Sequence, residues 1–457
     1  MQKKLYRNLT EILTDSFSPA IILPDLNNKI HYSSIRHATQ FLQQTSPFCN
    51  LNPGELVSLF LPNSIDFVCS FFAIVAVRAI VNPINTTNNL NDTINHLKIV
   101  SPRFVITSDT FENFHIIAAA CNSLSIPLFK VVVELVPQHW ESTSRIIRTI
   151  SPIASHQIKT VKPVCTITNI GVSTPLTASG DRNAQYQYQD SDIAVLLKTP
   201  GTSGDFKLVP LTHDNILESL FNICNSLTLG ASDLTYQVMP LYHSYGLIGV
   251  LLASFYAGAS VILPPALSFD DFWKNISMFK ATWYSTTPIL HKLILSKLNG
   301  KPTPPNSMRF IQTCGLDAER DTVLSLEQAF QVPIVVSYVM VETSHQIASI
   351  IPSGTRKFGS VGKPIGVSVC LLDHNNAPIS RGIGEVCVNG STVFSGYWND
   401  DANDHCFVMI NGKRWFKTGD MGWKDERGYL MLVGRKLVPF KHDGKIYSAV
   451  DLQQVTY

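Results

Sequence analysis

Four short polar segments hold the side chains that could do chemistry. In "KTPGTSGDFKLVP" (198–210) a Gly/Ser/Thr loop follows an apolar run, Ile193 to Leu197. Thr199, Gly201, Thr202, Ser203 and Gly204 offer backbone N–H groups that can wrap phosphate oxygens, because glycine allows positive φ and close approach. Lys207 adds a cation, and Phe206 and Leu208 flank it with bulk. The order is not G-x-x-x-x-G-K-[ST], so the common P-loop is excluded. A polar surface loop with a stray lysine explains this stretch alone equally well. In "MPLYHSYGL", His243 lies among aromatic residues ahead of Gly246, where an imidazole can serve as base, donor or gate. Taken singly, a core histidine is the commoner explanation. In "SYVMVETSH", Glu342 ends an apolar strand, a place suited to holding Mg²⁺ beside phosphates, or simply a helix start that favours an acid. In "WFKTGDMGWKDERGYLMLVGRK", Asp420 occupies a glycine turn and Arg435 follows Gly434. A carboxylate there can accept both hydroxyls of a ribose and the guanidinium can bind another oxygen group, or the stretch is only a hairpin.

In this order and spacing the segments resemble the adenylate-forming superfamily of acyl- and aryl-CoA ligases, peptide-synthetase adenylation domains and luciferases. The likeness runs over nearly the whole chain. The family's phosphate loop T-S-G-T-T-G-x-P-K-G aligns with Thr199 to Leu208, its P-L-[FY]-H-x-x-G with Pro240 to Gly246, and its Y-G-x-T-E with Tyr338 to Glu342. "GEVCVNGSTVFSGYW" matches its G-E…G…G-Y segment, Thr418 to Asp420 its T-G-D, and Gly434-Arg435 opens its hinge motif. The resemblance implies that Thr199, Gly201, Thr202, Ser203, Gly204 and Lys207 face ATP phosphates and that Glu342 holds Mg²⁺. It implies that Tyr338 borders the adenine, that Asp420 binds the ribose with Arg435 nearby, and that His243 meets the acyl group. Tyr242, Gly246, Gly315, Leu316 and Val339 would line the substrate pocket. The implied reaction is attack of a carboxylate on ATP to give acyl-AMP, then transfer to CoA, with His243, Glu342 and Lys207 as the catalytic set.

The departures from the family are specific. Pro200 stands where the family has a hydroxyl, Phe206 where it has proline, and Leu208 where it has glycine. Proline lacks an N–H and removes one phosphate contact. Val339 replaces a glycine and Val341 a threonine. The hinge reads "GRKLVPFKHDG", with Val438 in place of its acid, and, with the sequence read to Tyr457, the resemblance leads to the expectation that the family's C-terminal domain and its lysine have no counterpart here. Three readings therefore stand side by side. The first is an acid-activating ligase completed by a partner domain. The second is a repurposed, ATP-independent enzyme on a carboxylic or acyl substrate, with His243 as acid/base and Cys314 as a weaker nucleophile candidate. The third is a non-catalytic binding protein.

The elements that must position these groups follow from periodicity. The 457 residues exceed one compact core. "GELVSLFLPNS", "SPRFVITSD", "RFIQTCG" and "VPIVVSYVM" read as buried strands alternating with helical stretches, which predicts an α/β fold. The expected architecture is two stacked mixed or parallel sheet subdomains, 1–190 and 191–360, a small β-rich subdomain, 361–433, and a hinge tail, 434–457. Thr212 is the predicted N-cap of the helix that follows. A net charge of +2 with no basic tract speaks against nucleic acid. Nine scattered cysteines without C-x-x-C speak against zinc and for a reducing compartment. The apolar stretch Phe67–Val77 is too short to span a bilayer, and no secretory or peroxisomal signal is read, so the cytoplasm is expected.

Overall fold

The computed structural model describes residues 6–108, 112–137, 159–169, 188–189, 191–199, 206–298, 302–314, 320–354, 356–398, 403–436, 440–442 and 445–447. The first strands are β1 (Pro19–Leu23), β2 (Asn28–His31), β3 (Leu56–Phe60), β4 (Ile80–Pro83), β5 (Phe104–Thr107) and β6 (Leu128–Pro137). Next come β7 (Lys159–Asn169) and the hairpin strands β8 (Ile193–Thr199) and β9 (Lys207–Thr212). The chain continues through β10 (Leu234–Tyr236), β11 (Ser260–Ile262), β12 (Trp283–Thr286), β13 (Phe310–Cys314), β14 (Ile334–Met340), β15 (His345–Ser349) and β16 (Lys363–Pro364).

These strands form one hydrogen-bonded ladder in the order β16-β15-β14-β13-β12-β10-β11-β1-β2-β7-β6-β5-β3-β4-β8-β9. Residue 190 does not divide that ladder. β8 pairs with β4, while β1 crosses to pair with β11, so the chain's order along the sheet differs from its order in sequence. The reason is physical: β8 is a buried parallel neighbour of β4, and its apolar residues complete the face that β4 leaves open.

Helices cover the sheet, as the alternating pattern predicts. Helix Ile65–Ala76 starts at Ser64, whose hydroxyl accepts from the Phe67 N–H, and apart from Asp66 and Ser70 it is apolar. Such a helix must lie deep in the core, and Phe67, Phe71 and Phe72 are fully buried. Helix His213–Leu227 opens on a capping box in which Thr212 and Asn215 exchange bonds, so the predicted cap is the observed one.

The small sheet holds β17 (Ser368–Leu372), β18 (Pro378–Ile379), β19 (Gly384–Asn389), β20 (Phe407–Ile410), β21 (Lys413–Lys424) and β22 (Leu430–Arg435). Its order is β18-β17-β19-β21-β20, with β22 on β21. The expected β-rich unit is therefore a meander-like antiparallel sheet. Trp398 N–H bonds to Leu208 O at 2.8 Å and Phe394 N–H to Glu342 O at 2.9 Å, which seat its 390–398 segment against β9 and the end of β14.

Candidate active site

A cleft of about 590 Å³ opens between the small sheet and the carboxyl ends of β8 and β14. Ligands of open α/β sheets bind outside such strand ends. Thr199 and Lys207 enter from the β8–β9 hairpin, His243 and Ser244 from the segment after β10, and Val339, Met340, Val341 and Glu342 from β14 and its following turn. Glu385, Tyr397, Lys417, Thr418, Gly419 and Arg435 close it from the small sheet.

Glu342 is placed by a sharp reversal. β14 ends, a single 3₁₀ turn Val341–Thr343 follows, and Ser344 and the first residue of β15, His345, take positive φ as the chain returns. The carboxylate is buried. Its Oε1 accepts from the Tyr397 hydroxyl at 2.9 Å, and the ring of Tyr397 lies 4.4 Å beneath Lys207 Nζ. Its Oε2 is buried with no hydrogen-bond partner among the described residues. Burial raises its pKa above the usual carboxylate range, against the lowering by its hydrogen bonds and Arg435. A buried carboxylate oxygen without a hydrogen-bond partner, in a cleft that Lys207 and Arg435 also line, is a position that would accept a metal ion, since Mg²⁺ needs only one or two protein carboxylates when phosphates complete its shell.

Asp420 sits behind the cleft-lining Gly419 and is 1% exposed. Its Oδ2 accepts from Tyr338 OH at 2.5 Å, and Arg435 Nε stands 3.1 Å from Oδ1, an ion-pair distance without hydrogen-bond alignment. Asp420 and Arg435 are paired across β21 and β22, so register alone brings them together. Desolvation raises the Asp420 pKa while Arg435 and Tyr338 pull it down. The pair sets a buried carboxylate directly behind the cleft wall and one guanidinium in its lining.

His243 follows a turn in which its N–H bonds to Pro240 O at 3.2 Å. Its Nδ1 accepts the Tyr245 N–H at 3.2 Å. That bond leaves the proton on Nε2, so the neutral ring is a donor there. The surrounding protein lowers its pKa even though part of the ring faces open cleft. At neutral pH it is a polar hydrogen-bonding group and not a charge.

Of the residues singled out in sequence, the cleft brings together Thr199, Lys207, His243, Val339, Glu342 and Arg435. Tyr338 and Asp420 back its wall through their mutual bond. Gly246 has a packing role instead: a Cβ there would lie 2.3 Å from Pro240 O. Tyr242 is half-buried beside His243. Pro200, Gly201, Thr202, Ser203, Gly204, Gly315, Leu316 and Val438 lie outside the described residues. Two expectations need correction. Phe206 and Leu208, expected from their bulk beside it to crowd Lys207, do not: strand alternation turns them to the opposite face, where Phe206 stacks on His96 at 5.4 Å and Leu208 packs with Leu56, Ile80, Val100 and Leu196. Cys314 is an unsuitable nucleophile, since burial pushes its thiol up to about 12 and it packs with Met239 and Tyr245.

Sequence reasoning passed over Tyr397, Lys417 and Glu385. Each stood inside a quoted motif, in "SGYW", directly before T-G-D, and at the start of "GEV". Only the fold shows that they face one cleft. A larger opening of about 810 Å³ lies among Arg356, Lys363, Arg427 and Tyr429. Its charges are partly cross-paired, with Lys357 Nζ 2.6 Å from Asp425, and none of the candidate site residues named from sequence lines it. Among the described residues no helix is long and apolar enough to cross a membrane.

The chain matches the family described as AMP-binding enzyme over residues 41–398. It is 31% identical over 414 residues to an oxalate–CoA ligase of Arabidopsis thaliana, covering 89% of this chain and 73% of that one. An oxalate–CoA ligase of Saccharomyces cerevisiae is 38% identical over 270 residues, covering 58% of this chain and 49% of that relative, about half its length. The fold is similar to ATP-bound MatB from Rhodopseudomonas palustris, with a TM-score of 0.74 at 22% identity, covering 96% of this chain and 81% of that one.

Proposed function

Because the chain belongs to the AMP-binding enzyme family and is CoA-ligase-like, we propose that it binds ATP in this cleft and activates a small carboxylic acid as the acyl adenylate. The observation that carries the reading is the meeting of Lys207, Tyr397, Glu342 and Arg435 in one cleft with the neutral donor His243. The substrate carboxylate forms a bond to the α-phosphorus of ATP. The bond from that phosphorus to the bridging oxygen breaks, and pyrophosphate leaves.

Lys207 holds negative charge on the departing phosphates, where a fixed cation in a partly dry site acts more strongly than in water. Tyr397 positions both Lys207 and the Glu342 carboxylate. Glu342 is the residue that would hold Mg²⁺, which neutralises phosphate oxygens when bound. Asp420 accepts from the ribose hydroxyls, oriented by Tyr338 and Arg435. His243 Nε2–H donates to an oxygen of the acid. Val339 narrows the acid side, because it lines the cleft and packs on the Met239–Tyr245–Cys314 cluster. A site narrowed at Val339 and holding Lys207, Lys417 and Arg435 suits a short acid, and oxalate is the first candidate because two relatives carry that activity in their names. The adenylate then passes to CoA.

The test is calorimetric binding of ATP with Mg²⁺, followed by acid-dependent ATP–pyrophosphate exchange across oxalate, malonate, acetate and benzoate. Exchange with oxalate foremost is expected. ATP binding without exchange with any acid points to a non-catalytic role. No ATP binding sinks the proposal and turns attention to ATP-independent acyl chemistry at His243.

A further inference from the structure

Two cysteines stand directly opposite each other in the small sheet. β17 and β19 are antiparallel, and their register pairs Cys370 with Cys387. Among the strand pairings described, this is the one that sets cysteine against cysteine. Opposed residues in an antiparallel pair have Cα atoms roughly 4.5–5.5 Å apart and project to the same face. A disulfide requires roughly 4.4–6.8 Å, so either kind of antiparallel pair lies within reach without moving the backbone far. Both thiols are free in this structure.

The two sites are unequal in a useful way. Cys387 is fully buried, whereas Cys370 is half-buried. β18 pairs only with Leu371 and Leu372, so β17 is an open edge at Cys370. Cys370 therefore offers the entry point and Cys387 the resolving thiol. Continuing across the sheet, Cys387 is paired with Lys417 on β21, and Glu385 lies two residues away on the same strand face. Lys417 and Glu385 both line the cleft, and Lys436 Nζ holds Glu385 at 2.8 Å. Lys424, which donates to Val369 O at 2.9 Å, stands beside Cys370.

We propose that Cys370 and Cys387 form a reversible cross-strand disulfide, a redox modification site one row from the cleft. With a low-molecular-weight disulfide such as oxidised glutathione as oxidant, the Cys370 thiolate attacks one glutathione sulfur. A mixed disulfide forms and one glutathione thiolate leaves. The Cys387 thiolate then attacks Cys370 Sγ and expels the second glutathione. The two cysteines lose two electrons and two protons, and one oxidised glutathione becomes two reduced molecules. The exchange waits on the thiolate, and burial holds both thiols above their ordinary range, so it quickens as pH rises.

The experiment equilibrates the whole chain in glutathione buffers of graded ratio, quenches with an alkylating reagent, and maps peptides without reduction. The expected result is a peptide cross-linked between residues 370 and 387, with loss of two alkylatable thiols, reversed by reduced glutathione. Cys387→Ser should instead trap glutathione on Cys370. Should that buried replacement fail to fold by circular dichroism, Cys370→Ser serves: its Cys387 should then stay unmodified across the same range. A wild-type chain that keeps glutathione on Cys370 without resolving it, or in which both cysteines stay alkylatable under fully oxidising buffer, overturns the proposal.

Discussion

The β9 hairpin and the end of β14 both depart from the family's sequence, yet the departures fall on opposite sides of their backbones. On β9 the two bulky replacements, Phe206 and Leu208, flank Lys207 in sequence and face away from it in space. The cleft keeps its lysine, and the core gains two apolar side chains. On β14 the replacements are Val339 and Val341, and both line the cleft. The two valines are two positions apart, so they share a face, and where the strand gives way to a 3₁₀ turn Met340 and Glu342 between and after them line the cleft as well. The same kind of substitution is thus a packing change in one region and a change of binding surface in the other.

The largest expected effect tests the β9 side. Leu208→Ala should lower unfolding free energy by about 2–5 kcal/mol, since it opens a hole among Leu56, Ile80, Val100 and Leu196. Calorimetric ATP affinity of the remaining folded protein should hold. A large loss of affinity at unchanged stability would show that Leu208 does face the nucleotide.

Next comes the carboxylate behind the cleft wall. Asp420→Ala removes the acceptor for Tyr338 and the partner of Arg435, and should weaken ATP binding roughly tenfold to a hundredfold, or about 1.5–3 kcal/mol. Titration calorimetry reads this directly, and an unchanged affinity would remove Asp420 from the nucleotide site.

On the β14 side, Val341→Thr restores the family hydroxyl to the cleft wall. About fivefold tighter ATP binding is expected, the worth of one hydrogen bond of about 1 kcal/mol. Equal or weaker binding would mean that the wall at Val341 meets no polar ligand atom, and the contrast with β9 would narrow.

The smallest effect is a pH dependence under the β9 face. His96 Nε2 lies 2.8 Å from Asn82 Oδ1, and burial lowers its pKa to about 4. A base whose folded pKa is depressed binds fewer protons folded than unfolded between its ordinary range and that value. Its contribution is therefore present at neutral pH and lost as pH falls from near 6.5 toward 4. His213, lowered to about 4, and His291 and His345, each lowered to about 3, act in the same direction. Asp66, raised by burial to about 6, opposes them between its ordinary value and 6. His96→Gln should make the melting temperature fall less between pH 7 and 4.5 than in the wild type. An identical slope would mean that His96 does not titrate in this way.

Much of the candidate site was legible because motifs travel with local structure. A Gly/Ser/Thr loop after an apolar run marks the end of a strand, and T-G-D marks a turn between two others. Lys207, His243, Glu342 and Arg435 could be named on that basis. Tyr397 could not be given its role, because two groups it touches in the cleft, the Lys207 ammonium and the Glu342 carboxylate, lie 190 and 55 positions away in sequence. Nor could Gly246 be told from a substrate contact, since its need for a missing Cβ arises from the carbonyl of Pro240 folding back against it.

Periodicity, turn residues and ordered motifs are properties of neighbours along the chain, so the amino-acid sequence alone determined the α/β class, the helix cap at Thr212 and the family resemblance. Which face a side chain takes, and which distant strand supplies its partner, depends on register and on the path of the sheet. Tertiary structure alone therefore decided that Phe206 and Leu208 belong to the core, that Val339 and Val341 belong to the cleft, and that Cys370 meets Cys387 across two strands.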